Sequence, residues 1–181
     1  MAATTTTTRE EVFSKTRLLV TTIIIFFHLQ NSTFDWEYLL THKTYMKRLA
    51  FLGDAVLKSY VVTDLIGRGG ICCAGLCSRT ESYITNKNLS LVFDKLSFGT
   101  AISWTAPSFF GISRPSTKLM GTCIESMLGC TEMHRPERTY EVVVRLMEFL
   151  EKSNFGKSKS ADCCALKVGK PRLVSRPAWA S

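Results

Sequence analysis

Residues 48–57 read RLAFLGDAVL, and the organisation of the chain is decided around them. Across residues 46–66 the apolar side chains Leu49, Leu52, Val56 and Tyr60, with Leu57 and Val61 one position round, recur at intervals of three and four. That period belongs to a helix with one buried stripe. Gly67, Gly69 and Gly70 follow as a stop signal. A long, largely buried helix is predicted here. It carries Ala50 and Asp54 on one face, because residues four apart are neighbours on a helix surface.

Working outward, residues 34–45 (FDWEYLLTHKTY) predict a short helix with Asp35 as its cap and Phe34, Tyr38 and Leu39 on one face. Residues 78–96 give helical pieces built on Tyr83, Ile84, Leu89, Val92, Phe93 and Leu96, interrupted at Asn86 and Asn88. Residues 99–115, rich in Gly, Ser and Pro, read as a loop. An apolar helical pattern resumes over residues 118–130. Residues 136–152 (PERTYEVVVRLMEFLEK) open on a proline with acids close behind, as an amphipathic helix should. The fold class that follows is all-α, and no internal repeat is visible.

The chain has 181 residues, 45% of them hydrophobic and 21% charged, which excludes fibrous and wholly disordered classes and supports one domain. The net charge of +8 is uneven. Lys152, Lys157, Lys159, Lys167, Lys170, Arg172 and Arg176 face only Asp162 after residue 151, leaving about +2 on everything before. Such a tail fits phosphate attraction through counterion release, and equally a solubilising disordered end. The seven cysteines fall in loose groups (Cys72, Cys73, Cys77; Cys123, Cys130; Cys163, Cys164) without paired zinc spacing, and are read as reduced thiols. Residues 18–29 (LLVTTIIIFFHL) are too short for a comfortable membrane span and lack a small-x-small cleavage site. A buried core element is the favoured reading, with an organellar targeting segment as the other.

Four blocks in order resemble the ribonuclease III family. They are LTHKTY at 40–45, RLAFLGDAVL at 48–57, GLCSRTESYITNKNLS at 75–90 and KLMGTCIESMLG at 118–129. The resemblance covers about residues 34–150. It implies a ribonuclease III-like helical endonuclease domain over residues 18–151, between a disordered N-terminus (1–17) and a basic flexible tail (152–181). It also implies a quartet of carboxylates that holds magnesium for phosphodiester hydrolysis. In this chain the four positions are Ala50, Asp54, Thr122 and Glu125, so two of the four negative charges are gone. Lys47 stands where the family commonly has another acid, and Lys118 matches the family lysine. Glu37 and Glu81 are the acids that could compensate. His42, inside the first block, is read as a buried, hydrogen-bonded histidine. Phe51 and Leu52 match positions at the family's dimer interface, although ordinary core is also open to Leu52 and Val56.

The leading expectation is therefore a catalytically degenerate relative, an RNA-binding or dimerising scaffold component of an RNA-processing or ribosomal complex. Its expected partners are double-stranded or structured RNA and a second ribonuclease III-like domain, in a homodimer or heterodimer. The alternative is a magnesium-dependent double-stranded RNA endonuclease, acting as half of a heterodimer or with compensating acids. Magnesium is expected only in the second case, with Asp54 and Glu125 as the remnant ligands. A third reading is a small membrane-associated protein anchored by residues 18–29. RNA contact in the first two is expected from Lys157, Lys159, Lys167, Lys170, Arg172 and Arg176, with Trp179 as a stacking side chain. An intracellular location follows, with mitochondrion, plastid, nucleus and cytoplasm all open.

Overall fold

The computed structural model describes residues 9–30, 34–105 and 115–154, and everything below concerns those residues. Eight helices follow one another there: α1 (Arg9–Phe26), α2 (Trp36–Thr41), α3 (Lys43–Arg68), α4 (Cys73–Ile84), α5 (Asn86–Lys95), α6 (Phe98–Thr105), α7 (Thr117–His134) and α8 (Pro136–Asn154). The all-α expectation holds. The local signals that start and stop these helices act as their chemistry predicts. Asp35 caps α2 by accepting from the Tyr38 amide, Thr85 caps α5 through the Asn88 amide, and Ser116 caps α7 through the Leu119 amide. Gly69, at φ 74°, closes α3 in a conformation that a side chain would disfavour.

The central pair is α3 and α7, whose packing is the most extensive in the fold, with α5 and α8 against α7. Two glycines set how close that pair comes. A Cβ on Gly53 would overlap the carbonyl oxygen of Glu125, and one on Gly129 would overlap the carbonyl oxygen of Leu49. Backbone therefore meets backbone at two points. Around this seam Leu49, Leu57, Val61 and Leu65 of α3 are fully buried with Cys123, Ile124, Met127 and Leu128 of α7.

The apolar run at 18–29 enters the core: Ile23 and Phe27 are completely buried and Leu29 nearly so. Thr131 on α7 donates to the Phe27 carbonyl at 2.9 Å, which fixes the end of α1 against the central pair. Among the described residues no helix is long and apolar enough to cross a membrane. Helix α1 takes in residues 9–17, ahead of the boundary drawn at residue 18.

Two other details differ from the sequence reading. Residues 99–115 were expected as a loop, yet α6 occupies their first part. Phe98, Ala101 and Ile102 stand at helical spacing and are buried, and the Phe98 ring packs on Phe27, Trp36 and Phe93. Gly99 and Ser103 hide that pattern in a composition count. His42 is exposed rather than buried: it sits in the joint between α2 and α3, stacked on Tyr38 with ring centroids 3.8 Å apart. A residue between two helices needs no enclosed pocket to satisfy its ring, and here Nδ1 lies 3.1 Å from the Tyr38 carbonyl.

Candidate functional site

Beside the close-packed seam, α3 turns Lys47, Ala50, Phe51, Asp54 and Lys58 toward the same side, and α7 adds Lys118, Thr122 and Glu125. These residues line one open cavity of about 710 Å³, together with Asn86 at the start of α5, Ser116 at the cap of α7 and the apolar Met46, Ile84 and Leu119. Helical spacing explains the selection, since 47, 50, 54 and 58 share one stripe of α3, and 118, 122 and 125 one stripe of α7. The Gly53 contact brings the two stripes together, because it presses the turn that carries Asp54 onto the turn that carries Glu125. All four quartet positions and Lys118 thus face one space.

Their chemistry is unequal. Ala50 is buried and offers no oxygen. Thr122 gives its hydroxyl proton to the Lys118 carbonyl on its own helix at 3.0 Å, leaving only a neutral oxygen for anything in the cavity. Asp54 Oδ2 accepts from Lys58 Nζ at 3.0 Å, an ion pair one turn along α3. Glu125 is held by no lysine or arginine at ion-pair distance among the described residues. Burial, and then the negative charge of Asp54, push its carboxyl up to about 7, with Lys58 acting in the opposite direction. Burial and the same Glu125 charge push the thiol of neighbouring Cys123 up to about 12.

Three lysines therefore line the cavity against two carboxylates. Glu37 and Glu81 are exposed and are not among its lining residues, so neither supplies a missing oxygen. Among the described residues no group of three or more His, Cys, Asp or Glu side chains converges as a metal site would require. Of the described cysteines, Cys73, Cys77, Cys123 and Cys130 are free thiols.

Residues 47–136 match the family model of the Ribonuclease III domain. The chain belongs to the ribonuclease III family. Comparison with curated proteins and with solved structures returned no match. Membership carries a function related to double-stranded RNA, and domains of this family bind RNA and typically dimerise. In this ribonuclease III domain Phe51, the residue next to Ala50, lines the cavity and is 81% exposed on α3, whereas Leu52 and Val56 are half-buried. The basic residues Lys157, Lys159, Lys167, Lys170, Arg172 and Arg176, and Trp179, lie outside the described residues.

Lys58 is the charged cavity residue that sequence reasoning missed. Its signal was present, four places after Asp54 on the same stripe, but only the cavity shows that this stripe faces inward.

Proposed function

We propose that this ribonuclease III-family chain does not itself cut RNA. It binds double-stranded or structured RNA and pairs with another ribonuclease III-like domain as a scaffold component of an RNA-processing or ribosomal complex. One observation carries the reading: the cavity where the family quartet belongs holds two carboxylates and three lysines. Divalent magnesium is a hard cation that is held by oxygen ligands, carboxylates above all, and phosphodiester hydrolysis by this route needs the ion both to activate water and to offset charge on the phosphate. A buried alanine, a threonine turned onto its own helix and an aspartate already paired with an ammonium do not fit such an ion. No resident metal is part of the proposal.

The second reading keeps some cutting activity, with the site completed in a heterodimer. It is favoured by the two surviving carboxylates, which are near enough for the charge of Asp54 to act on Glu125.

A long RNA duplex is incubated with magnesium and the protein, alone and together with its co-purifying ribonuclease III-like chain. Only the second reading expects cutting in the paired sample that Asp54→Ala and Glu125→Ala abolish. The scaffold proposal expects no fragments above the protein-free control, for the parent chain and for Asp54→Ala and Glu125→Ala alike. Cutting by the parent chain that both substitutions abolish would sink it.

A further inference from the structure

In this chain the positive charge of the cavity is covalently attached. We infer that the space between α3 and α7 is a phosphate receptor that works without a metal, in which Lys58 Nζ occupies the cation's place against Asp54 and Lys47 and Lys118 supply further donors. The inference rests on the non-cutting reading above and adds the ligand to it.

Three observations lead there. The first is that Lys58 Nζ already lies 3.0 Å from Asp54 Oδ2. A divalent ion approaching Asp54 must displace that ammonium or accept its repulsion. An arriving anion meets the opposite field, and an ammonium with one proton on Asp54 has two more to give. The second is the balance of charge, with Lys47, Lys58 and Lys118 against Asp54 and Glu125, so the walls carry at least one net positive charge.

The third is the way the helices end. Asn86, the first residue of α5, and Ser116, the cap of α7, both line the cavity, so two helix N-termini open onto it. The positive ends of their dipoles favour a negative ligand. These termini add to the lysines rather than define the site. A cavity of about 710 Å³ is also far larger than a bare ion needs. It admits a phosphate group together with the sugars on either side of it, the chemistry that an RNA backbone and a free phosphate monoester share.

The experiment reads a cation and an anion on the same protein. Manganese binding to the full chain is followed by the loss of the free-ion electron paramagnetic resonance signal. Inorganic phosphate binding is followed by calorimetry in EDTA at low salt. Lys58→Met is compared with Lys58→Arg, and because Lys58 is an exposed side chain both are expected to fold, which a thermal melt checks.

For Lys58→Met we expect phosphate affinity to fall roughly three- to tenfold, the scale of one charged hydrogen bond partly screened by solvent, while manganese affinity rises. Lys58→Arg should keep the parent behaviour on both. Opposite shifts of the two ligands are the decisive result, because a merely structural role for Lys58 would weaken both together. Unchanged phosphate binding in Lys58→Met, or a fall in both affinities, overturns the receptor.

A short RNA duplex added as competitor identifies the source of the phosphate. Displacement assigns the site to the RNA backbone, and bound phosphate that the duplex leaves in place assigns it to a free phosphate group. Both keep the receptor. Its failure is distinct from that of the non-cutting reading, which falls if the magnesium assay shows cutting that Asp54→Ala and Glu125→Ala abolish.

Discussion

At the scale of single residues, Glu125 concentrates the physics of the site. It is a half-buried carboxyl next to a second carboxylate, and burial followed by that neighbour's charge lifts it from 4.5 to about 7. Because the folded state holds this proton more tightly than the unfolded chain, the contribution of Glu125 is most favourable below about pH 4.5. Stability is lost as pH climbs from there to about 7, and the penalty is then constant. Glu125→Gln removes the charge that causes it. In buffer free of divalent ions the variant should be more stable than the parent at pH 8 by about 1 to 2 kcal/mol, a figure reduced for partial solvent screening, and the gain should vanish at pH 4.5. Urea titrations at the two pH values check this. An equal gain at both would mean that the carboxyl is not under strain. That Asp54 and Glu125 come together was legible in the sequence through the resemblance of their two segments to ribonuclease III motifs. That Lys58 joins them, and that Thr122 spends its hydroxyl on its own helix, depended on which way each stripe of α3 and α7 faces.

At the scale of elements, what positions those side chains is a contact that carries no side chain at all. Gly53 and Gly129 let α3 and α7 touch backbone to backbone, and the atoms that a new Cβ would strike are the carbonyl oxygens of Glu125 and Leu49. A carbonyl in a helix cannot swing aside as a flexible side chain can, so Gly53→Ala must push the helices apart. Overpacking in a tight core costs about 1 to 3 kcal/mol, and with backbone as the obstacle the upper end is expected. The midpoint of chemical denaturation should fall accordingly. A variant as stable as the parent would show that the seam has slack. The helices themselves could be read in the sequence from apolar spacing and caps: α2, α3, α7 and α8 arise where the pattern places them, within a few residues. The seam could not, because a glycine inside a helical pattern reads as a weak position until the neighbour it admits is known. Helix α6 was missed for a related reason, its buried Phe98, Ala101 and Ile102 being interleaved with Gly99 and Ser103.

At the scale of the whole molecule, Phe51 is the feature that the isolated fold leaves unexplained. It is next to the buried Ala50 on α3, yet 81% of it is exposed, and it lines the cavity that holds Lys47, Lys58, Lys118, Asp54 and Glu125. A large ring in water forgoes about 1.5 to 3 kcal/mol of burial, which a second subunit would recover. Where two copies pair about a twofold axis, the same ring is buried twice, so one substitution acts at two points of the interface. The proposed pairing therefore expects the parent chain to sediment as a dimer at micromolar concentration and Phe51→Asp as a monomer. Phe51 makes no part of the core cluster, so the separated monomer should keep the helical signal of the parent. If the parent sediments as a monomer alone, the homodimer is lost, and a heterodimer remains to be tested by whether Phe51→Asp releases a co-purifying ribonuclease III-like chain. If Phe51→Asp still sediments with the parent's dimeric mass, the ring is not in the interface and the pairing surface lies elsewhere.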